Sequence, residues 1–535
     1  MKEFGVSYTD LRSFVDALEK AGQLKRIRAE VDPLLEITEI ADRVSKSPCP
    51  EGLHVAPKTD PVHGGTGGHA LMFDRVKGSS IPLAINLFGS YARMRMALGC
   101  EDFESLAAKV QKLIKPEPPT SFMEKMKMLP ELAKIAGFGP KVVKRGICQE
   151  VVHTGDADLL ALPIIKCWPH DGGSDEDVIV GRKRAAMNSA ALSSGSQDAA
   201  QGRFITLPGI YTTAPDGSEP NIGMYRIQVT GAKSAIFHCH MHHDGARHHR
   251  MWAAEGKDMP VAIVLGGESV LPYAATCPLP PNVSELLFAG FLNDGGIPLV
   301  PAKTIPINVP ANAEIVIEGF VSARETAREG PFGDHTGFYS LADEFPTLRV
   351  TAVTHRENPL YPTTIVGLPP MEDYYMGKAT ERIFLPLLQM LVPDIVDYNL
   401  PQWGAFHNFC FVKIHKEYPL QARKVASSIW GAGQMMFSKF IVIVDNDVDV
   451  HDEQAVMFAV GANVDPRRDT FMVDGPMDIL DHSAPYLAAG SKMGIDATRK
   501  IPGEGIVRDW PQRLVMSDEI RGLVDRRWRE YGIDE

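Results

Sequence analysis

The sequence predicts a mixed α/β protein with a β-rich centre, and three observations indicate it. Near the N-terminus, apolar residues recur at helical spacing over residues 8–46. Between about residues 144 and 356, short β-rich runs alternate with clusters of Gly, Pro, Asn and Asp. After Pro359, predicted strands and helices alternate again. The chain has 535 residues, too many for one hydrophobic core, so we expect several domains.

The N-terminal region predicts a small α/β unit. The helical pattern of residues 8–46 breaks at Gly22, and the apolar runs 70–73 and 81–87 are typical of strands. A Pro-rich stretch at residues 115–119 predicts a linker after this unit.

The central region predicts a compact barrel or sandwich of short strands. Residues 261–266, 314–320 and 348–353 are clear strand candidates because they are rich in β-branched residues. Residues 172–201 are rich in Gly, Ser, Asp and Ala, which predicts an exposed insertion or a mobile loop.

The C-terminal region predicts a second α/β unit. Residues 384–391 and 422–437 have helical patterns, whereas the apolar run 440–444 is typical of a buried parallel strand and ends in the acidic loop 445–447. Residues 518–531 predict a charged amphipathic helix. Such a terminal helix docks on a neighbouring subunit or stays solvated, and both readings remain open.

Composition excludes several classes of protein. The formal net charge is -12 and the chain has no basic stripe, which argues against nucleic-acid binding. Seven scattered cysteines without a Cys-x-x-Cys pair predict a reducing, cytoplasmic protein. No apolar stretch is long enough to span a bilayer, although contact with a membrane surface stays open.

Residues 328–339, which read REGPFGDHTGFY, have the composition of a reaction site. Glu329 and Asp334 lie on either side of a turn in which Pro331 fixes φ, while Gly330 and Gly333 allow backbone that a side chain would forbid. Two carboxyls held close cannot ionise equally, so we expect one to have a raised pKa and to donate a proton near neutral pH. The alternative is a polar turn that only caps a strand.

A second group of polar residues lies upstream. Asn221 and Arg226 flank an irregular strand opening, where an amide oxygen could bind a cation and a guanidinium could bind a carboxylate or phosphate. A histidine-rich run follows, and its neutral imidazoles together with Glu285 could bind Mg²⁺ or Mn²⁺. Each histidine alone could equally be an exposed or capping residue. The run comprises His238, His240, His242, His243, His248 and His249.

Taken together, these motifs resemble the UbiD family of reversible decarboxylases, which use prenylated FMN, and its 4-hydroxy-3-polyprenylbenzoate decarboxylase branch in particular. The resemblance covers nearly the whole chain. It is carried by DLRSF at 10–14, LEITEIADR at 35–43, NLFG at 86–89, residues 329–339, DPRRD at 465–469 and SKMGIDAT at 491–498. Residues 172–201 and 371–378 differ from that branch.

The resemblance implies a domain order. An N-terminal α/β domain (1–120) would precede a central split β-barrel of the flavin-reductase type (121–356). A C-terminal α/β domain (357–508) and a terminal helix (509–535) would support a homodimer or homohexamer.

The resemblance also implies roles for single residues. Arg226, Glu329 and Asp334 would be the catalytic triad, with Asp334 as the acid. Asn221, His243 and Glu285 would bind Mn²⁺ or Mg²⁺, with His242 as the reserve for His243, and K⁺ would bind nearby. The cofactor would be lined by Asn221, Met224, Tyr225, Arg226, His238, Cys239, His240, His242, His243 and Lys439.

The implied function is reversible, non-oxidative decarboxylation of an aromatic acid, expected to be para-hydroxylated, with 4-hydroxy-3-polyprenylbenzoate in quinone biosynthesis as one candidate. Another aromatic, heteroaromatic or unsaturated acid is the alternative. A flavin prenyltransferase would supply the cofactor. The non-enzymatic alternative is a flavin-binding protein without decarboxylase activity.

Overall fold

The computed structural model describes residues 7–50, 56–114, 135–179, 200, 202–280 and 283–533. These residues form the mixed α/β fold that the sequence predicts, built on three larger sheets. Most of the predicted insertion at 172–201 lies outside the described residues. The predicted domain boundaries remain a prediction.

Helices flank the N-terminal sheet, and each has apolar residues at helical spacing on the face that it buries. Helix α1 begins after Asp10, whose side chain accepts the backbone N–H of Ser13 in a capping box, and it buries Leu11, Phe14, Val15 and Leu18 on one face. The sheet has the order β1-β2-β3-β18, so its last strand comes from beyond the central region. The elements are α1 (Leu11–Lys20), β1 (Leu24–Val31), α2 (Glu36–Ser45), β2 (Ala70–Val76), β3 (Leu83–Ile85), α3 (Tyr91–Leu98), α4 (Phe103–Ile114) and β18 (Tyr361–Thr363).

The central region contains many short strands and two long ones. Its elements are β4 (Lys141–Val142), β5 (Val151–His153), α5 (Asp175–Val178), β6 (Phe204–Ile205), β7 (Gly209–Thr213), β8 (Pro220–Gly223), β9 (Ile227–Gly231), β10 (Ser234–Phe237), α6 (Asp244–Ala254), β11 (Met259–Gly266), α7 (Leu271–Ala274), α8 (Glu285–Leu292), β12 (Pro298–Pro301), β13 (Asn308–Pro310), β14 (Ala313–Glu329), β15 (Phe332–Gly333), β16 (Tyr339–Ser340) and β17 (Asp343–His355).

The central sheet has the order β6-β9-β10-β17-β14-β11-β7-β8, with β5 added beside β17. Strand β11 is apolar along most of its length because both of its faces are covered. Val261 and Ile263 point into one hydrophobic core, whereas Ala262 and Val264 point into another. The two edge strands, β6 and β8, do not pair with each other among the described residues, so closure into a split barrel remains a prediction.

The C-terminal sheet has the order β19-β20-β21-β23-β22, and β21 is parallel to both of its neighbours. This confirms the predicted buried parallel strand. Helices cover both faces, which explains why β20 and β21 are apolar on both sides. The elements are α9 (Glu372–Ile383), α10 (Leu385–Leu391), β19 (Ile395–Asn399), β20 (Phe409–Ile414), α11 (Gln421–Trp430), β21 (Phe440–Asp445), α12 (Glu453–Asn463), β22 (Thr470–Pro476) and β23 (Ala489–Asp496).

The last segment packs little against the rest of the chain. Helix α13 (Asp518–Arg527) and the 3₁₀ turn Trp528–Tyr531 bury no residue, and Leu514 is 99% exposed. Among the described residues, no helix combines the length and the apolar character that crossing a membrane requires. Further 3₁₀ turns are Ile147–Gln149, Leu159–Ala161, Gln402–Gly404 and Gly433–Phe437.

Candidate active site

The acidic motif forms a hairpin at the end of β14. Glu329 is the last residue of that strand, and Asp334 directly follows β15. Glycine is required at two positions for different reasons. Gly330 has φ +90°, and a Cβ atom on Gly333 would lie 2.1 Å from the Trp168 ring. The tight backbone therefore turns both carboxyls toward the same part of the molecule.

Arg226 lies between the two carboxyls. Its Nε and Nη2 donate to Glu329 Oε1 and Oε2 at 2.8 and 3.0 Å, and its Nη1 donates to Asp334 Oδ2 at 2.5 Å. Nη2 also donates to Ser340 Oγ at 3.0 Å, and the guanidinium carbon lies 4.5 Å from the centre of the Phe332 ring. The three predicted triad residues thus form a buried ion cluster, in which Glu329 is bound through two nitrogens and Asp334 through one.

The expectation that one of these carboxyls has a raised pKa is wrong. Burial alone would raise the pKa of Glu329, but Arg226 and His238 lower it to about 2. Burial would also raise the pKa of Asp334, but His335 and Arg226 hold it well below its usual range. The physical reason is the guanidinium between the two acids, because it stabilises both negative charges at once.

Three histidines of the predicted run extend from this cluster. His238 Nδ1 lies 3.0 Å from Glu329 Oε2, His238 contacts His240 edge to face, and His240 stacks on His243. Burial lowers the pKa of His238, that of His240 to about 2 and that of His243 to about 4. Nε2 of His238, Nε2 of His240 and Nδ1 of His243 are buried without a hydrogen-bond partner. Neutral imidazoles with free nitrogens can bind a ligand or a metal.

These side chains surround a cavity of about 210 Å³. Its wall combines charged groups from the central region with apolar and acidic groups from α9. A cavity that is mainly apolar, with a few convergent polar groups, is the usual form of a small-molecule site. The lining residues are Thr206, Leu207, Met224, Tyr225, Arg226, His238, His240, His243, Phe332, Asp334, Thr364, Val366, Glu372, Asp373, Met376 and Leu480.

The predicted metal ligands come from three neighbouring elements. Asn221 lies on β8, His243 precedes α6, and Glu285 is the first residue of α8. Glu285 Oε2 accepts the backbone N–H of Ile222 at 3.1 Å, which places its carboxyl beside Asn221, and the His243 ring stacks on Tyr225. Burial raises the pKa of Glu285, so a nearby cation would be needed to stabilise its charge fully.

Other residues predicted to bind the cofactor lie outside the cavity wall. Lys439 Nζ is paired with Asp481 at 2.9 Å and does not line the cavity. His242 is exposed and lies against Phe437, whereas His243 is part of the wall. Cys239 is adjacent to the wall, and burial raises the pKa of its thiol. Met224 and Tyr225 do line the cavity, and their contact with a cofactor stays a prediction.

Sequence reasoning missed Asp373 on α9. Its Oδ1 accepts the backbone N–H of Tyr374 at 2.8 Å, while its Oδ2 is buried without a hydrogen-bond partner. Burial raises its pKa to about 6. Glu372 beside it is held by the backbone N–H groups of Asn86 and Phe88. The adjacent acids Glu372 and Asp373 were visible in the sequence, but only packing against the N-terminal region brings them to the cavity, where Asp373 keeps an unpaired oxygen.

Asp171 is a second missed residue. Its Oδ1 accepts the backbone N–H of Gly333 at 2.8 Å and its Oδ2 accepts that of Trp168 at 2.8 Å. Burial raises the pKa of Asp171 to about 7. Since Gly333 immediately precedes Asp334, Asp171 fixes the hairpin that presents the acid. In the sequence, the only sign of this role is that a polar run containing Asp171 follows the apolar pair at 164–165.

Comparison with known protein families gives consecutive matches along the chain. Residues 15–113 match the model described as the 3-octaprenyl-4-hydroxybenzoate carboxy-lyase N-terminal domain, residues 191–369 match its Rift-related domain, and residues 374–497 match its C-terminal domain. An uncharacterized protein of Aquifex aeolicus is 45% identical over 533 residues, covering 99% of this chain and 100% of the relative.

Solved structures resemble the chain over almost its full length. Vanillic acid decarboxylase of Sedimentibacter hydroxybenzoicus in its closed form has a TM-score of 0.77 and 26% identity, covering 98% of this chain and 99% of that one. The UbiD-class enzyme HmfF of Pelotomaculum thermopropionicum, in complex with FMN, has a TM-score of 0.71 and 25% identity, covering 96% and 99%. Both are similar to this chain from the N-terminal sheet to the C-terminal sheet.

Proposed function

The chain belongs to the UbiD family of carboxy-lyases, and from that premise we propose that it reversibly decarboxylates a para-hydroxylated aromatic acid with prenylated FMN bound in the cavity. The observation that carries the proposal is the ion cluster of Arg226, Glu329 and Asp334, in which Arg226 and Asp334 lie on the wall of a cavity of about 210 Å³. A protein that only stores flavin has no need for two carboxylates and a guanidinium at that place.

The residues on the cavity wall fit a flavin cofactor. Nε2 of His238, Nε2 of His240 and Nδ1 of His243 are buried and unpartnered, so they can bond the polar edge of a ligand. Met224 and Tyr225 offer an apolar surface beside them. When bound, the cofactor supplies an electron sink for the electrons that decarboxylation leaves on the substrate carbon.

The proposed metal site also has suitable donors. Asn221 and Glu285 provide oxygen atoms and His243 a neutral nitrogen with no hydrogen-bond partner, which is a set that Mn²⁺ or Mg²⁺ accepts. The cation would offset both the half-buried Glu285 carboxylate and a cofactor phosphate. His243 is preferred to His242 because the His242 ring is exposed.

Arg226 would hold the substrate carboxylate. Because Glu329 occupies two guanidinium nitrogens and Asp334 only one, the substrate would compete with Asp334 for Nη1. A third negative charge at this guanidinium favours protonation of the most weakly held carboxyl, because like charges raise the pKa of their neighbours. Substrate binding would therefore convert Asp334 from a carboxylate into an acid.

Asp334 would then protonate the carbon that has lost CO₂, while Glu329 keeps Arg226 in place. Both acids are buried, so they act where water does not compete. Holding the substrate ring against the cofactor adds a proximity contribution of up to roughly 7–11 kcal/mol in favourable systems.

The experiment that tests the proposal compares protein produced with and without a coexpressed flavin prenyltransferase. Mass spectrometry identifies the bound cofactor, and a panel of aromatic, heteroaromatic and unsaturated acids is screened for CO₂ release. We expect protein that contains only FMN to be folded but nearly inactive. Folded protein that carries prenylated FMN and releases CO₂ from none of these acids would favour a flavin-binding protein without decarboxylase activity.

We further propose that the chain self-associates through its C-terminal segment. Helix α13 buries no residue in the monomer, and Leu514 is almost fully exposed. Burying such side chains against a second copy would remove apolar surface from water. Sedimentation analysis of the full chain and of a chain ending at residue 508 would test this.

A further inference from the structure

We propose that His335 stores the proton that Asp334 delivers to the product, and that His407 holds the His335 ring in position for this task. The inference rests on the proposed function, in which Asp334 is the acid. It answers a question that the geometry raises: how a carboxyl held as an anion can act as a proton donor.

The carboxylate of Asp334 accepts three hydrogen bonds, and the donors differ in whether they can give up a proton. Oδ2 accepts from Nη1 of Arg226 at 2.5 Å, and Oδ1 accepts from the backbone N–H of His335 at 2.9 Å. Neither an arginine nor a backbone amide gives up its proton in this range of pH. The third donor is Nδ1 of His335, at 3.1 Å from Oδ1. Among these contacts, His335 alone can transfer a proton to the carboxylate.

The second nitrogen of His335 is fixed by a residue from the C-terminal region. His335 Nε2 lies 2.7 Å from His407 Nε2, a separation at which one nitrogen donates and the other accepts. Burial would lower the pKa of His335, but the hydrogen bond to Asp334 raises it to about 9. Burial and the neighbouring His335 lower the pKa of His407. His335 is therefore the donor at both nitrogens, and His407 is the acceptor.

Acidic groups from three segments of the chain lie near the pair, and the Phe406 ring packs against His335. Asp373 on α9 and Asp478, which follows β22, both favour the charged form of His335 electrostatically, as Asp334 does. Asp478 Oδ2 lies 3.7 Å from His407 Nε2, and Asp481 adds a further negative charge near His407. The charge of the imidazolium is thus balanced locally, which lets a buried cation persist.

The proposed transfer moves one proton in each turnover. When the substrate binds, the Nδ1–H bond of His335 breaks as an O–H bond forms on Asp334. That O–H bond then breaks as a C–H bond forms at the product carbon, which returns Asp334 to the carboxylate. His335 becomes neutral and keeps its Nε2 proton, which stays hydrogen-bonded to Nε2 of His407. After product release, one proton from solvent entering the cavity restores the imidazolium, so protons and charges balance over the cycle.

The direct test is a titration of His335 in the folded protein by NMR, with ¹³C-labelled histidine. We expect one histidine signal to titrate near pH 9, to be missing in His335→Asn, and to move to lower pH in Asp334→Asn. An assigned His335 signal that titrates at or below the ordinary histidine pKa would overturn the proposal.

The kinetic test uses a variant that keeps a hydrogen bond to Asp334 but has no proton to transfer. In His335→Asn the amide can still donate to Asp334, yet it cannot release a proton. We expect exchange of the product's ring hydrogen for deuterium to fall by about 10²–10⁴-fold, with an unchanged cofactor spectrum. The matched control is His153→Asn, which removes a histidine paired with Asp156 at 2.9 Å on the surface, away from the cavity wall. It should exchange at the normal rate.

The role of His407 is tested by two substitutions. His407→Gln keeps an acceptor for His335 Nε2, whereas His407→Leu removes it. The alkaline limit of the exchange reaction should fall to lower pH in His407→Leu and stay close to normal in His407→Gln. If both variants and the unaltered protein showed the same pH dependence of exchange, His407 would not hold the His335 ring in position.

A further variant separates the inference from the proposed function. If Asp373→Asn stopped exchange while His335→Asn retained it, the proton would come from Asp373 and the proposal would be wrong. If unaltered protein with prenylated FMN neither released CO₂ nor exchanged hydrogen, the proposed function would fail, and the NMR titration would still decide whether His335 holds a proton on Asp334.

Discussion

The described part of the chain buries several clusters of charged side chains, and two of them differ in that one lines the cavity of about 210 Å³ and the other does not. The cavity cluster comprises Arg226, Glu329, Asp334, His238 and His335. The C-terminal cluster comprises Lys416, Lys500, Asp469, Asp496 and Glu504. In the C-terminal cluster, Lys416 Nζ lies 2.6 Å from Glu504 Oε1, and Lys500 Nζ lies 3.1 Å from Asp496 Oδ1. Both clusters therefore pair opposite charges at short distance.

The two clusters differ in what remains unpaired. The C-terminal cluster has no side-chain nitrogen or oxygen among the buried atoms without a hydrogen-bond partner in the described part of the chain. Around the cavity cluster, by contrast, nitrogens of His238, His240 and His243 and one oxygen of Asp373 are left without partners. Buried charge alone thus does not indicate a functional site. Buried charge beside unsatisfied polar atoms and an open volume does, because those atoms need a ligand.

The largest expected effect tests the cavity cluster. Asp334→Asn should lower turnover by about 10²–10⁴-fold, because an amide preserves the shape of the acid but cannot deliver its proton. The measurement is CO₂ release by protein with a normal cofactor spectrum. Near-normal turnover would make Asp334 a structural residue of the hairpin, and the donor would have to be sought at another cavity residue.

A substitution in the C-terminal cluster should lower the stability of the protein without changing its turnover. Lys500→Met removes a fully buried cation, so that Asp469 keeps only Arg468 and Asp496 keeps only Lys416 as a cationic partner. Breaking a buried ion pair in this way costs about 3–5 kcal/mol in the free energy of unfolding. Urea denaturation measures this loss, and turnover per folded molecule should stay unchanged. A loss of turnover without a loss of stability would remove the distinction between the two clusters.

The metal site gives an intermediate effect. Glu285→Gln should weaken metal binding by 10-fold or more and lower cofactor content with it, because the ligand would lose its charge. Metal analysis of the purified protein measures this. The matched control is Glu268→Gln, since burial also raises the pKa of Glu268, to about 7, but this residue lies outside the predicted metal set. Equal manganese content in both variants would move the metal site elsewhere.

The smallest effect concerns Asp373 and depends on pH. Its raised folded-state pKa means that the protonated group favours folding at low pH, and that this contribution is lost as the pH rises from the ordinary pKa of an aspartic acid to about 6. Asp373→Asn should therefore stabilise the protein by about 1–3 kcal/mol above pH 6 relative to its effect near pH 4. Denaturation at the two pH values measures the difference. An equal change in stability at both pH values would show that folding does not raise the pKa of Asp373.

Much of the fold could be predicted from sequence patterns. Helix α1 follows its apolar spacing, and β21 was predicted as a buried parallel strand from an unbroken apolar run. Strand β1 was missed because four of the eight residues in its sequence, LKRIRAEV, are charged and the apolar residues do not alternate with them. It lies at the edge of its sheet, where one side faces solvent and the pattern carries little information.

The sequence predicted that the three residues of the ion cluster come together, but it did not predict that both carboxyls have lowered pKa values. Glu329, Asp334 and Arg226 come together as expected, although 103 positions separate the arginine from the first acid. Their spacing in the sequence could not reveal that the guanidinium would lie between the two carboxyls and lower both pKa values. Similarly, His335 and His407 meet only because the C-terminal region packs against the hairpin.

The cavity wall also has a consequence for how this protein family can diversify. The acid hairpin reaches the cavity from β14, while Asp373 and Met376 reach it from α9, a separate segment of the chain. Substitutions at Met376 on α9 can therefore change the shape of the space offered to a substrate while Arg226, Glu329 and Asp334, the residues proposed for catalysis, stay as they are. At Asp373 the two segments are coupled electrostatically, so a change there would alter both the cavity and the charge of His335.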